Sequence, residues 1–353
     1  MMRILTSIII ATVFAATTVA FAAPPIELEL ATEQGVQITA PQQWLQLLTA
    51  IGIEQVQIRG IRAGDAPRAT NRGTKERPSY HVVGILTARD QLRLPGGTFT
   101  HADRAKLKDF FERLSADGAE SLTAPKGRFG LTEQELKSVL VDLSRPIDFD
   151  TKGQSPRAAL DQFKTKLALK VEVADDAEAK LREATPFPDE LRGVTAGTGL
   201  AILLRNYGLV MRPEKSRGMP VVYRVTPLDA GTIQQSTLGK TNLPDSKFWP
   251  IGWEPDKGPG AIAPSLMESL NAEIDGYTLE EALAAIGPRL KVPMYVDHAA
   301  LTAQKIAPAK IQVKLARARM IYKRLLDRVL TQAHLGSSVR IDESGSPFLW
   351  ITR

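Results

Sequence analysis

The chain has 353 residues, of which 43% are hydrophobic and 24% are charged, a composition that is typical of a folded protein and excludes wholesale disorder. It contains no cysteine, which excludes disulfide bonds, thiolate catalysis and cysteine-based zinc sites. The formal net charge of +6 is modest, so the distribution of the charges bears more on function than their sum.

The first 22 residues are typical of a secretory signal peptide. A basic start at Arg3 precedes an apolar run and Ala20-Phe21-Ala22, a small-x-small cleavage site. Because the run is long enough to span a bilayer, an uncleaved membrane anchor is the alternative. The sequence also lacks cysteine and Asn-x-Ser/Thr sequons. Together these features predict export to the periplasm or cell envelope of a bacterium.

The region 26–145 is predicted to be an N-terminal α+β domain. Its first part reads as strand, helix and strand, with Trp44 on the inner face of the helix. The segment 59–77 carries six basic and two acidic residues among glycine, alanine and threonine, and is predicted to be a mobile loop. Thr132 and Glu135 have the spacing of a capping box and predict the start of a further helix.

Two later segments share one pattern of apolar residues. The Ala-Leu pair at 159–160 in "SPRAALDQFKTKLALKVEVAD" aligns with the pair at 282–283 in "GYTLEEALAAIGPRLKVPMYVD". The apolar positions that then coincide are Phe163 with Ile286, Leu167 with Leu290, Leu169 with Val292, Val171 with Met294, and Val173 with Val296. The pattern predicts that a structural unit occurs twice.

Each copy reads as a strand, a helix and a returning strand, followed by a second helix and a hairpin. We therefore predict an α+β protein with tandem β-α-β/α-β-β domains at 146–232 and 265–353, each with helices packed on a short sheet. In the first copy "IDFDTKG" is the expected strand, Ser155 the expected N-cap, and Thr198 the expected N-cap of the second helix. A charged stretch interrupts this copy. The Pro- and Gly-rich segment 233–264 is predicted to be an irregular linker.

The repeated unit resembles the short N-terminal (STN) domain of secretins and TonB-dependent receptors. The likeness lies in a helix opened by Ser or Thr with an Ala-Leu pair, followed by an alternating strand, and it covers a little over half of the chain after the signal. It implies a small α+β fold and a role in protein contacts in the envelope. No secretin pore or receptor barrel is found in the sequence, and a glycine often present before the returning strand is missing near Leu290-Lys291. The resemblance therefore implies neither transport nor catalytic residues.

Several short fragments look like catalytic or cofactor motifs but lack essential residues. "LGKT" at 238–241 lacks the first glycine of a phosphate-binding loop, and "GTGLAI" at 197–202 lacks the third glycine of a dinucleotide motif. The four histidines have no metal-binding spacing, and no GxSxG motif is present. We therefore expect no cofactor, no metal and no catalytic residue. The predicted export argues against nucleic acid as a partner.

A basic region near the C-terminus is the first candidate for a partner-binding surface. Between residues 305 and 328 eight basic residues stand against one acid, and apolar residues that recur every three or four positions predict a helix with the cations on its outer face. This face would dock an acidic partner, an anionic lipid or an anionic wall polymer. The alternative is an ordinary solvated helix face. The residues assigned to the surface are Lys314, Arg317, Arg319, Lys323 and Arg324.

The stretch "KFWPIGWEP" in the predicted linker is the second candidate. Trp249 and Trp253 beside prolines could form an exposed aromatic platform for a sugar or a partner chain, since tryptophan is enriched at binding hot spots. The alternative is a linker that is anchored to its own domains by the two indole rings.

These features together predict a non-catalytic exported envelope protein whose modules mediate protein–protein contacts, with other envelope proteins or by self-association. The sheet edges of the modules would accept a partner strand. The alternative is a secreted hydrolase, or a binder, that acts on an anionic wall polymer or glycan. The hydrolase predicts a deep cleft with a carboxyl group whose pKa is displaced.

Overall fold

The computed structural model describes residues 23–74, 76–228 and 247–353. The predicted signal peptide and the first part of the predicted linker, 233–246, lie outside the described residues. Across the described ranges, no helix combines the length and apolar character that a membrane crossing requires. The chain is an α+β protein with several small sheets, and it divides after Thr123 into unit 1 and unit 2.

Unit 1 contains one mixed sheet and its helices. The strand order is β2-β1-β4-β5-β6, with β3 paired to β4, and both β2 and β4 run parallel to β1. Its strands are β1 (Ile26–Thr32), β2 (Gln55–Gly60), β3 (Arg68–Asn71), β4 (Tyr80–Leu86), β5 (Leu92–Leu94) and β6 (Gly97–Phe99), and its helices are α1 (Ala40–Ala50), α2 (Arg104–Asp117) and α3 (Glu120–Thr123).

The core of unit 1 follows from the residue spacing. Alternation buries Leu28 and Leu30 in β1, and helical spacing buries Trp44 and Leu48 in α1. Every residue of β4 is buried, as expected for an interior strand. The predicted mobile loop 59–77 contains β3, which pairs antiparallel with β4, so this prediction was wrong for these residues.

Unit 2 contains two three-stranded sheets, of order β7-β9-β8 and β11-β14-β13, and a two-stranded ribbon of β10 and β12. The strands are β7 (Val171–Val173), β8 (Leu209–Lys215), β9 (Val221–Pro227), β10 (Ser269–Thr278), β11 (Met294–Val296), β12 (Gln312–Ile321), β13 (Gly336–Ile341) and β14 (Pro347–Thr352). The helices are α4 (Glu133–Leu143), α5 (Pro156–Lys166), α6 (Asp175–Arg182), α7 (Ala196–Asn206), α8 (Pro259–Ile262), α9 (Leu279–Leu290), α10 (His298–Ala303) and α11 (Tyr322–Thr331).

The two segments with the shared apolar pattern have the same order of elements. Helix α5, strand β7, helices α6 and α7 and the β8–β9 hairpin match α9, β11, α10, α11 and the β13–β14 hairpin. In each, the short first strand runs parallel to the last strand of the hairpin. The aligned leucines Leu160 and Leu283 are both buried, with exposed fractions of 0% and 7%.

Four features of unit 2 differ from the sequence prediction. The expected strand "IDFDTKG" does not form. The second segment has the β10–β12 ribbon at the corresponding place, whereas the first segment has only a single bridge between Pro146 and Thr195. Helix α7 begins after Thr195, so Thr198 lies inside it, and the charged stretch contains α6. Helix α4, assigned to the region 26–145, buries Val139 and Leu143 in a core of unit 2. These one-turn-spaced side chains need apolar partners that unit 2 provides.

Candidate functional site

The described part of the predicted linker pairs with both three-stranded sheets of unit 2. The backbone N–H of Trp249 donates to the carbonyl of Met211 in β8 at 2.7 Å. Trp253 and Ile341 of β13 exchange two backbone hydrogen bonds of 2.8 and 3.0 Å. Residues 249–253, here called the tryptophan strap, thus contact the outer edges of β8 and β13. The strap has no regular secondary structure, as predicted for this segment, but its backbone groups are partners for both edges.

Trp249 anchors the strap. Its side chain is only 5% exposed, and its Nε1–H donates to a Glu343 carboxylate oxygen at 2.6 Å. The indole stacks on Phe129 with ring centroids 5.8 Å apart and meets Trp253 edge-on at 5.7 Å. Trp249 therefore has the geometry of the anchoring alternative and not of an exposed platform, and Trp253 is half-buried beside it.

Glu343 joins the strap to the start of α7. Its carboxylate accepts hydrogen bonds from the Thr198 backbone N–H at 3.1 Å, from the Thr198 hydroxyl at 2.8 Å, and from the Thr195 hydroxyl. Burial raises the pKa of the Glu343 carboxyl, and these donors together with the Trp249 indole lower the pKa by a smaller amount. The sequence placed Glu343 only in a hairpin turn, since its partners are more than 90 residues away.

The raised pKa makes the contribution of Glu343 depend on pH. A carboxyl whose folded-state pKa lies above its ordinary value of 4.5 binds its proton more tightly in the folded state. Its contribution to stability is therefore fully present below pH 4.5 and is lost as the pH rises through the raised pKa.

We expect the native protein to gain stability relative to the Glu343→Gln variant as the pH falls, because glutamine does not titrate. Urea unfolding of both proteins at acidic and at neutral pH measures this difference. A difference that is independent of pH, or that grows toward alkaline pH, would contradict the raised pKa.

A second buried contact joins the two segments of unit 2. The Arg205 guanidinium on α7 lies 3.2 Å from the Asp297 carboxylate, and the two side chains are 10% and 3% exposed. Next to Asp297, the His298 ring lies 3.2 Å from the Asp189 carboxylate. These two contacts, with the strap and Glu343, connect both segments through side chains distant in the sequence.

The basic region forms the predicted helix only in its second part. Residues 312–321 are strand β12, and the helix α11 begins only at Tyr322. The pairing register of β12 against β10 shifts between Leu315 and Ala318. These two inward-facing residues are therefore three positions apart in the sequence, whereas strict alternation in a strand places them two apart. The resulting three-residue step mimics helical spacing, which is why the prediction was wrong.

The predicted basic residues consequently lie on two elements. Lys314, Arg317 and Arg319 project from β12, whereas Lys323 and Arg324 lie on α11. The inward residues of β12 and α11 contribute to one core. The cations therefore do not form the single helix face that was predicted.

The face of β12 is also balanced by acids. Lys314 lies 3.3 Å from the Asp275 carboxylate on the neighbouring strand, and Glu273 is exposed on the same strand. On the helix, Lys323 forms an ion pair with Asp327. The Lys314–Asp275 pair is exposed and the Lys323–Asp327 pair is partly buried, and pairs of this kind are common on a solvated surface.

A more strongly basic concavity lies elsewhere in unit 2. It has a volume of about 700 Å³ and is lined by the loop 126–130, by residues 212–215 of β8 and by Lys247. We call it the basic cleft. The cleft was not predicted from the sequence, although "KGR" at 126–128 and "RPEK" at 212–215 are local concentrations of positive charge. Glu343, whose pKa is displaced, does not line it.

Comparisons with protein-family models, with curated proteins and with solved structures found no match to this chain. The resemblance to the short N-terminal domain therefore remains a proposal.

Proposed function

We propose that this chain is a non-catalytic exported envelope protein that binds a partner protein, and that the partner adds an extended segment to the edge strand β2. The observation that carries the proposal is the open backbone of β2 beside exposed apolar side chains. The signal-like N-terminus and the resemblance to STN domains support the location and the role in protein contacts.

The outer edge of β2 offers a set of backbone groups to a partner strand. The N–H of Ile61 donates to the Thr32 carbonyl of β1 at 3.0 Å. Because backbone groups alternate in direction along a strand, those of Val56, Ile58 and Gly60 point away from β1. In the described residues β2 pairs with β1 alone. It contains neither proline nor lysine, the usual protections of an edge strand.

The edge strands β8, β12 and β13 of unit 2 are protected at specific residues. The strap pairs with β8 and β13, and β8 also contains Pro213, which has no N–H. On β12, the Gln332 side chain accepts from the backbone N–H of Lys314 at 2.9 Å and donates to its carbonyl at 3.1 Å. On β2, the Arg59 guanidinium donates to the outward carbonyl of Gly60 at 3.0 Å. In the described residues no hydrogen bond reaches the outward backbone groups of Val56 and Ile58, which leaves this part of β2 as the strand-accepting edge.

The side chains around β2 define the partner segment. Ile58 and Ile61 are 41% and 37% exposed. Arg59, the one charged side chain of β2, is held by Glu29 and by Asp65, whose nearest oxygen is 2.5 Å from the guanidinium. The charge of Arg59 is therefore balanced, and Ile58 and Ile61 offer apolar contacts beside the exposed Gln55 and Gln57. The edge fits an extended peptide with apolar side chains at alternate positions, bound through main-chain hydrogen bonds.

The test is to replace Ile58 by proline, with Ile58→Thr as the matched control. Proline removes the outward N–H and leaves the hydrogen bonds to β1 intact, whereas threonine keeps the N–H and suits a strand. A photo-crosslinking residue at position 57, in bacteria that express the full chain, should capture an envelope protein. The Pro variant should lose this product and the Thr variant should keep it.

Mass spectrometry of the product gives two further readouts, namely the captured peptide and the N-terminus of the exported chain. A mature N-terminus at Ala23 would support cleavage of the signal. Equal capture by both variants, with equal melting temperatures, would exclude strand addition at β2. If Ile58→Pro fails to fold, Ile58→Lys tests the same edge, since an edge lysine opposes pairing.

A further inference from the structure

We propose that the basic cleft binds a compact phosphate-bearing ligand with several negative charges. Its volume of about 700 Å³ lies within the range of roughly 300–1,000 Å³ that small-molecule sites occupy. Among the described residues, five cationic side chains line it, against the single carboxylate of Glu214. This site is in unit 2 and does not depend on the strand docking proposed for unit 1.

Two of the five cations already have carboxylate partners. Arg212 lies 3.1 Å from Glu214, and Lys215 lies 2.6 Å from Glu135. The other three are Lys126, Arg128 and Lys247, and no carboxylate of the described residues lies within 4.0 Å of their charged groups. Even when both acids are counted, the cleft keeps an excess of three positive charges. Such an excess attracts and concentrates a multiply charged anion.

Trp249 connects the three parts of the chain that line the cleft, which are the loop 126–130, strand β8 and the segment that contains Lys247. The Trp249 ring stacks on Phe129 of the loop 126–130, and the Trp249 N–H binds β8 at Met211. Lys247 precedes Trp249 by two residues. Because Trp249 is buried, it fixes the backbone positions of the loop, of β8 and of the segment at Lys247, and so the positions of their cations relative to one another. A preorganised set of charges is what tight anion recognition requires.

The loop 126–130 is held in a strained conformation. Phe129 has φ 59°, in the left-handed region that a non-glycine residue seldom adopts. The N–H of Gly127 donates to the Leu131 carbonyl at 2.8 Å, and the N–H of Gly130 donates to the Gly127 carbonyl at 3.1 Å. Strain of this kind is concentrated at ligand sites, where the surrounding structure maintains it. Here it is maintained beside Lys126 and Arg128, which have no carboxylate partner within the part of the chain that the structure describes.

The shape of β8 favours a compact anion over a peptide strand. The strap already pairs at Met211, and Pro213, which points its backbone to the same side, has no N–H to donate. A ligand in the cleft would therefore be bound by the charged side chains and not by backbone hydrogen bonds to β8. A guanidinium binds phosphate through two parallel hydrogen bonds, and lysine ammonium groups add point charges.

The test uses inorganic tripolyphosphate as the probe and measures its binding to the full chain by calorimetry. Lys126→Ala, Arg128→Ala and Lys247→Ala combined should weaken binding by roughly tenfold or more, because each removed cation costs a charge-assisted contact. The control combines Lys314→Ala, Arg317→Ala and Arg319→Ala, which removes the same charge from β12. This control should keep the native affinity. Both variants should melt at the native temperature.

The outcomes separate the proposal from general charge attraction. Saturable binding that only the cleft variant loses, and that weakens with added salt, supports it. Equal losses in both variants, or no saturable binding, would overturn it. Equal affinity for citrate would show that the cleft takes anions without preference for phosphate. Vesicles of phosphatidylglycerol distinguish the source: binding to them that tripolyphosphate cannot displace would overturn a free phosphate ligand.

Discussion

Replacing Leu283 by aspartate is expected to lower the free energy of unfolding by about 3–5 kcal/mol, because an unpaired charge would be placed in an apolar core. Leu283 is 7% exposed on α9 and packs with Ile286 and Leu290. The same substitution at Leu160, its aligned counterpart on α5 with no exposed surface, should have an effect of the same size. Urea unfolding followed by tryptophan fluorescence measures both.

The control is Val141→Asp on α4, whose side chain is 63% exposed and whose replacement should change stability by less than about 0.5 kcal/mol. An unchanged melting temperature for either leucine variant would contradict the equivalence of the two helices. If only one variant were destabilised, the shared apolar pattern would not reflect a shared structural role.

Replacing Trp249 by alanine is expected to cost about 3–5 kcal/mol, the usual range for removing a buried aromatic side chain. The variant would lose the stack on Phe129, the edge contact with Trp253 and the indole donor to Glu343. Denaturant unfolding measures the loss. Met219→Ala, at a side chain that is 59% exposed, is the matched control.

The variant Trp249→Phe separates packing from hydrogen bonding at the same position. Phenylalanine keeps an aromatic ring but leaves the Glu343 carboxylate without the indole donor, so a smaller loss of about 1–3 kcal/mol is expected. A loss below about 1 kcal/mol in Trp249→Ala would show that the tryptophan strap does not stabilise unit 2.

Local signals predicted the starts of α4 and α5 correctly, whereas the predicted cap Thr198 lies inside α7. The capping box of Thr132 and Glu135 is present, with the Glu135 N–H bound to the Thr132 hydroxyl, and Ser155 caps α5 ahead of Pro156. Caps succeed because donor and acceptor lie within four residues, so the sequence alone brings them together. The hairpins β8–β9 and β13–β14 were also predicted, since alternation and turn residues are local.

The prediction failed where the chain pattern could be read in two ways. In the basic region, the register shift between Leu315 and Ala318 gives strand residues a helical spacing, and only pairing with β10 selects the strand. Near Pro146, alternation suggested a strand, but a single bridge to Thr195 forms there. Both cases depend on a partner strand that is far away in the sequence.

The candidate sites depend even more strongly on contacts between residues that are distant in the sequence. The sequence identified the tryptophans and the arginines as chemically unusual but not which of them would be buried, paired or separated. The basic cleft was missed because its cations come from a loop, a strand and a linker. The open edge of β2 became visible only when its neighbours were known.

The sequence by itself determined the α+β class, the two segments of equivalent pattern and the local caps, because these depend on period and on contacts within a few residues. The tertiary structure alone decided the rest. Glu343, Trp249 and Thr195 meet although about 150 residues separate the outer two. The Glu343 carboxyl group is buried, and a buried carboxyl group requires hydrogen-bond donors. The donors come from residues that only the tertiary structure brings close. The sites proposed here depend on such long-range contacts.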